Sequence, residues 1–482
     1  MAGENPRKFY VGLIEKDKNL VGHVISMAEP HEIDEGKDTG ENAGESDDEK
    51  DSPLVIEGTP TTFEDTLNSF CTVMESYREF IPFLLELTPH ASSQVATVFI
   101  ADFVKKNGLL RADLSTDKTK YYEIDLSKYR SFTIANERVI SAIHGAQHLP
   151  EIMLIGLVSA YDAFLSRLLR IIFHMHEEVV MTSDKQIRYS ELISYDSIEA
   201  AKQALIDNEI ESVIRLSHHD QFAWMERKFD MTLKSRLDVW PRFIELCERR
   251  NLVTHTGGIV SRQYLTNCRE YKADIGNIKV GDKLKTNLEY YEQAVLSVYE
   301  VGIKLGHVMW RKFDRKNQID ADAHLNETAF NLIFKRQYQL AERLLEFGTE
   351  IIKNHPSDKI RRMMVINRAN CFRLMDKKTE SKKLLDKEDW SATSVDFQIS
   401  VAAASEDIDT MIKKMRQAGA AGPITMEDYR TWPLFRGHRL NELFMSTFRE
   451  IFGVPIVHQR TLLSETVDAH AGELPDDIGT VH

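Results

Sequence analysis

Apolar residues recur at helical intervals along most of the chain. Between Phe63 and Lys106 the stripe runs Phe63, Leu67, Phe70, Cys71, Met74, Phe80, Phe83 and Leu84, which predicts a helix. The stretch KYYEIDLSKYRSFTI at 120–134 breaks that pattern and reads as a minor strand or an extended connector. In LPEIMLIGLVSAYDAFLSRLLRIIF, Leu154, Leu157, Val158, Tyr161, Leu165, Leu168 and Ile172 share one stripe with further apolar residues beside it. That predicts a long helix buried on most of its circumference. A second strong helix is expected from about Leu233 to Thr254, with Pro241 as a kink or a restart at a first turn, and Gly257-Gly258 as its stop. A third, from about Asn287 to Phe313, carries Leu288, Tyr291, Val295, Val298, Ile303 and Val308 inward and ends in Lys304, Arg311, Lys312, Arg315 and Lys316. Helices joined by polar connections make an all-α bundle.

Past Asn317 the texture changes to short helical pairs: FNLIFKRQYQLAERLLEFGTEII, INRANCFRLMDKKTESKKLLDKEDW, then EDIDTMIKKM. Ala341, Leu344 and Leu345 find counterparts forty residues on in Ser381, Leu384 and Leu385. The spacing resembles tetratricopeptide repeats, though the small-residue signature is incomplete, and a plain helical domain is the alternative. WPLFRGHRLNELFMSTFREIFG reads as a terminal helix pair closing the stack. The expected plan is an N-terminal segment at 1–60, a helical region at 61–148, a helical bundle at 149–316, repeats at 325–455 and a tail at 456–482.

Composition narrows the class. With 482 residues, 42% hydrophobic and 28% charged, the chain is a folding, multi-domain globular sequence. The charge-free run Ile152–Tyr161 is about half the roughly 20 residues a bilayer span needs, so no membrane partner is expected. The first residues lack an apolar signal core, and Cys71, Cys247, Cys268 and Cys371 have no metal-ligand spacing, which fits a reducing cytoplasm and predicts no metal or cofactor. The net charge of −14 argues against nucleic acid until it is localised: eleven acidic residues against Lys37 and Lys50 place −9 of it between Glu29 and Asp51. That stretch, within 29–53, reads as disordered.

Candidate chemistry sits in VWPRFIELCERRNLVTHTGG. The apolar stripe runs Val239, Phe243, Leu246, then Arg250, then Val253, so a charge falls on the buried face. Arg250, Asn251, Thr254 and His255 fan over an arc of about 140° on one helix. Attack of a ribose 2′-hydroxyl on its phosphodiester needs a proton acceptor or donor near neutrality and positive charge at the developing phosphorane. His255 supplies the first and Arg250 the second, Asn251 can orient the imidazole or touch the phosphate, and no metal is required. Bare Arg-to-His spacing is a weak pattern, since Arg170 with His176 satisfies it too, without the following Asn or the glycine stop.

The fuller context resembles the HEPN superfamily (higher eukaryotes and prokaryotes nucleotide-binding). RRNLVTHTGGIV is similar to the signature of its bacterial ribonuclease-type branch, and LVSAYDAFLSRLLR to its first helix, with a charged helical segment between them. The resemblance covers about residues 149–313. It implies an all-α HEPN-type bundle followed by the tetratricopeptide-like repeats, a catalytic Arg at Arg250, its polar follower at Asn251 and the His at His255. It further implies an acidic or polar residue from the first helix, Asp162 or Ser159, a homodimer with a shared cleft, metal-independent cleavage of RNA, and a role in phage defence or toxin-type growth arrest. The repeats would then recognise a partner, a trigger or the substrate RNA.

Bland readings compete with each of these. Arg250 could pair with Glu245 or Glu248, and His255 with carbonyls at a solvated helix end. His218-His219-Asp220 reads as polar surface, because adjacent helical side chains diverge by about 100°. Tyr264 and Trp240 read as core before base-stacking platforms, and the basic run Lys304–Lys316 as an RNA footprint or a solvated helix end. The rival function is a non-catalytic dimeric scaffold that binds a protein partner or a nucleotide.

Overall fold

The computed structural model describes residues 10–16, 19–26, 62–111, 121–181 and 188–456. The acidic stretch 29–53 and the tail beyond Ile456 lie outside the described residues. The chain divides into two units, Met1–Gly58 and Thr59–His482. In the first, strands β1 (Tyr10–Lys16) and β2 (Asn19–Ser26) pair antiparallel with a register shift at Ile14/Glu15, a hairpin that the sequence reading does not anticipate.

The second unit is all-α apart from one short hairpin and one isolated bridge among the described residues. Helix α1 (Phe63–Asn107) is capped by Thr62, whose side chain accepts from Asp65 N, and carries Glu64 and Asp65 in its first turn and Lys105 and Lys106 in its last. Strands β3 (Gly108–Arg111) and β4 (Tyr121–Ile124) link it to α2 (Tyr129–Met175), so the minor strand expected near 120–134 is a hairpin at the turn between two long helices. Helix α2 starts twenty residues before the expected bundle boundary and runs through Pro150, whose missing N–H removes one ladder bond. It contains the one described stretch long and apolar enough to cross a membrane, and 44% of that stretch is buried inside the protein.

After two short helices, α3 (Glu177–Met181) and α4 (Tyr189–Leu192), come α5 (Ile198–Ile214), α6 (His218–Phe229), α7 (Trp240–Thr256), α8 (Arg262–Glu270) and α9 (Leu288–Phe313). Pro241 occupies the first turn of α7, so the expected helix from Leu233 begins seven residues later, and Gly257 at φ 58° ends it. The core gathers α1, α2, α7 and α9, with all seven stripe residues of α2 buried. Helix α9 is buried nearly all round, and two glycines let it approach its neighbours closely: a Cβ at Gly306 would lie 2.6 Å from Leu67 Cδ2 and 3.3 Å from Phe164 Cζ. In α1, Phe63, Leu67, Phe70 and Met74 reach this core, but Phe80 and Phe83 are more than half exposed. The distal halves of α1 and α2 pair with each other, and no residue of 127–150 is buried.

Helical pairs follow: α10 (Gln318–Phe334) with α11 (Tyr338–Glu346), α12 (Asp358–Leu374) with α13 (Lys378–Leu385), and α14 (Val395–Ala404) with α15 (Ile408–Ala418). The expected counterparts Ala341, Leu344, Leu345 and Ser381, Leu384, Leu385 are all buried. Each pair turns on a non-glycine residue at positive φ, Arg336, Asp376 and Glu406. The same helix-ending bond recurs beside each: Gln337 N to Leu332 O, Lys377 N to Phe372 O and Asp407 N to Ala402 O, at 2.8, 2.8 and 2.9 Å. The bundle core continues without a break into α10, α11 and one face of α12 (Met364, Cys371), while a second cluster through Val365, Ile366 and Ala369 holds α12 to the C-terminal helices. The closing segment is not a helix pair. After α16 (Met426–Thr431), Pro433 and Gly437 at φ 90° limit 433–440 to two 3-10 turns, leaving one helix, α17 (Glu442–Phe452), packed on α15.

Candidate functional site

The expected site residues lie where α2, α6 and α7 meet. Asp162 follows the buried Tyr161 on α2 and is itself largely covered. Across from it, Ser217 caps α6 by accepting from Asp220 N, which fixes His218 in the first turn. His218 is buried, flanked by the rings of Tyr161 and Phe243, and its Nε2 lies 3.1 Å from Asp162 Oδ1. His218 therefore does not lie on a solvated face: capping turns it inward, and an aspartate 56 residues earlier satisfies it. His219 does point outward, and stacks on Tyr271 at 4.5 Å.

Helix α7 brings two adjacent arginines with opposite surroundings. Arg249 is locked: its Nε donates to Glu245 Oε1 at 2.8 Å, its Nη1 to Lys285 O at 3.2 Å, and its guanidinium covers the Tyr290 ring at 3.8 Å. Glu245 also accepts from the Tyr264 and Tyr290 hydroxyls, both at 2.7 Å, so it is saturated and not available to Arg250. Burial, with the Glu245 charge beside it, drives both phenols well above their usual range. Tyr264 and Trp240 are core residues.

Arg250 is largely buried, as its place on the apolar stripe requires, yet its guanidinium donates no hydrogen bond among the described residues. Its nearest carboxylate is Asp162, at 3.8 Å from Nη2 to Oδ2, which is an ion-pair distance beyond hydrogen-bond reach. Its buried Nε has no hydrogen-bond partner among the described residues. Asp162 thus divides its oxygens between His218 and Arg250. Glu248 joins the cluster from the same helix. Burial raises its carboxyl above the ordinary glutamate value, opposed by a bond from Asn267 and by the charges of His218 and Arg250.

Of the four expected residues, the structure brings Arg250 and Asp162 together. Asn251 is half-buried and His255 exposed in the last turn, and neither side chain bonds to Arg250 or Asp162. Five positions separate Arg250 from His255, which on an α-helix is about 140° of rotation and about 7.5 Å of rise. Ser159 is exposed. The sequence reading put His218 on a polar surface and offered Glu248 only as a pairing partner of Arg250, not as a member of this cluster. The available signal for His218 was the Ser217-x-x-Asp220 cap pattern, which places it at a fixed helix start and not on a free face.

The basic run at the end of α9 is not a footprint. Lys304 is buried against Glu300 at 2.6 Å, Arg311 is paired with Asp322 at 2.5 Å, and Lys312 donates to Asp230 O. Arg315 and Lys316 alone remain exposed. The decoy Arg170 pairs with Asp207, and His176 bonds to Phe313 O at 2.8 Å. Comparison with protein-family models, curated proteins and solved structures finds no match to this chain.

Proposed function

We propose that the chain is an endoribonuclease of HEPN type, acting as a homodimer and cleaving RNA by 2′-hydroxyl attack without a metal, in phage defence or toxin-type growth arrest. One observation carries the reading: Arg250 is largely buried and donates no hydrogen bond, on the same helix as a free, exposed His255. A covered guanidinium without acceptors costs folding free energy, and a phosphate oxygen pair is the ligand its planar fork fits. Arg249, one residue earlier, shows what a structural arginine looks like here.

In this reading His255 accepts the 2′-hydroxyl proton as the 2′ oxygen bonds to phosphorus. The bond from phosphorus to the 5′ oxygen breaks, leaving a 2′,3′-cyclic phosphate, and the 5′ oxygen takes a proton from water or from a second imidazole. Arg250 meets the charge that develops on the equatorial oxygens. Asp162 holds the guanidinium near its place without saturating it. The tetratricopeptide-like helical pairs would carry the partner or trigger.

The test is RNA cleavage under chelation by wild type, Arg250→Ala and His255→Ala, with dimerisation followed by light scattering. Loss of cutting in both variants with folding retained is the expected result; cleavage surviving both changes refutes the proposal. The scaffold reading draws on one observation, that no side chain holds the His255 ring in a working orientation. It predicts intact RNA with every variant and partner capture unaffected by His255→Ala.

A further inference from the structure

The connector between α7 and α9 forms a module of its own. Beyond Gly257 the chain doubles back: Val260 N bonds to Asp282 O, Leu284 N to Gly258 O and Gly281 N to Val260 O, at 2.9, 2.9 and 3.0 Å. Val260, Tyr264, Leu265, Cys268 and Leu284 close over Leu252 as a small separate core. The module is pinned to α7 by the bond of Tyr264 to Glu245 and by Arg249 reaching Lys285 O. A Cβ at Gly258 would come within 3.0 Å of Leu284 O, so the close return at the His255 end of α7 depends on this glycine.

The surface of this module is positively charged in an acidic protein. From Gly257 to Asn287 the net charge is +3, against −14 for the whole chain. Arg262, Arg269, Lys272, Lys279, Lys283 and Lys285 are all exposed, and none of their side chains takes part in an ion pair or hydrogen bond among the described residues. In the helical pairs the arginines are held by carboxylates, Arg361 by Glu388, Arg368 by Glu342 and Glu350, and Arg416 by Glu450, whereas exposed lysines there such as Lys359, Lys382 and Lys383 are also unpaired among the described residues. Two of the three acidic residues in the module, both exposed, accept backbone hydrogen bonds on their own loops, Asp274 from Gly276 N and Asp282 from Lys279 N. The three carboxylates offset half of the six positive charges and leave the net +3.

We infer that this module is the docking surface for the RNA phosphate backbone, holding the strand beside the His255 end of α7. Lys283 pairs with Ile259 in the isolated bridge, three residues beyond Thr256, so the surface begins where the candidate active helix ends. A set of exposed, unpaired cations on one backbone scaffold fits a repeating polyanion, because each neutralised phosphate releases condensed counterions and every register along the strand satisfies the same charges. RNA is favoured over an acidic protein by this placement, and the inference rests on the ribonuclease reading of α7.

The experiment replaces Lys272, Lys279, Lys283 and Lys285 with glutamine together, in full-length His255→Ala protein. Binding of a labelled single-stranded RNA is measured by fluorescence anisotropy across a salt series. Affinity at low salt should fall more than about tenfold, and the slope of log affinity on log salt should become shallower by about 3, near 0.7 per lost contact. Arg315→Gln with Lys316→Gln, exposed cations outside the module, should leave both unchanged. With His255 restored, the four substitutions should raise KM and spare kcat. Unchanged affinity and slope in the fourfold variant overturn the inference, as does a parent protein that binds RNA no better than the variant. Polyglutamate displacing RNA at equal charge concentration would assign the surface to an acidic protein instead. The two readings fail separately: cutting by Arg250→Ala and His255→Ala ends the catalytic assignment, while the binding comparison stands without any cleavage.

Discussion

Adding one methyl group at Gly306 tests how the bundle is held together. An alanine Cβ there would sit 2.6 Å from Leu67 Cδ2, 3.2 Å from Leu67 Cγ and 3.3 Å from Phe164 Cζ. Carbon atoms prefer about 3.5–4.0 Å, so α9 and α1 must separate by roughly an ångström or Leu67 must leave its rotamer. Neither move is free: Leu67 is fully buried, and Phe164 is stacked on Phe70 at 4.2 Å. Overpacking of this kind costs about 1–3 kcal/mol, and the severity of the contact points to the upper end. Alanine in a helix interior returns about 1 kcal/mol relative to glycine, leaving a net loss of about 2 kcal/mol. Gly145 in α2 is the internal control, because a Cβ there meets nothing within 4 Å, and Gly145→Ala should stabilise by up to about 1 kcal/mol. Urea denaturation of both variants should place their midpoints on opposite sides of wild type. Leu67→Val, which removes the clashing methyl, should cost less in the Gly306→Ala background than alone. A Gly306→Ala protein as stable as wild type would refute the packing argument.

Two further expectations follow from buried or strained groups. Burial of His324 against Asn68 and His307 lowers its pKa to about 4 from the ordinary 6.5, so the native state holds fewer protons than the unfolded one between those values. Stability from this group is complete above pH 6.5 and is lost as pH falls toward 4, by about 3 kcal/mol in all; the pH slope of unfolding free energy should flatten in His324→Gln, and identical slopes would contradict it. Arg336, Asp376 and Glu406 each hold a left-handed conformation that favours glycine, so Arg336→Gly and Glu406→Gly should each raise stability by up to about 1 kcal/mol in thermal melts, whereas unchanged or lower values would show that their side chains offset the strain.

How much of this was legible in sequence differs from element to element. Helix α9 was readable to within a residue, because its inward stripe is continuous and Asn287 is a conventional cap. The end of helix α7 at Gly257 was readable, but its start was not: the expected helix from Leu233 begins only at Trp240, with Pro241 in its first turn. Spacing on the same stripe selected Arg250 and passed over Arg249, and the two do sit in opposite environments. The long start of α2 was not readable, since 129–148 carries no buried residue and so no buried stripe. Periodicity reports a helix in α1 but not which of its apolar residues find a core, so Phe80 and Phe83 read like Phe70. The turns of the helical pairs hid because Arg, Asp and Glu stand where glycine would signal. His218 with Asp162 joins residues 56 apart, a contact that only the packing of α6 on α2 creates.

The unbroken course of α2 has a mechanical meaning. From Tyr129, beside the β3–β4 hairpin, to Asp162 the helix advances about 50 Å at about 1.5 Å per residue. Its outer half, with no buried residue, lies against α1 through Phe132 on Phe103, while its inner half is clamped in the core. A rod of this kind transmits twist and displacement along its axis, and the missing bond at Pro150 is where bending concentrates. A load on strands β3 and β4 therefore reaches the carboxylate beside Arg250 through a single element, with Pro150 as the compliant joint between lever and fulcrum.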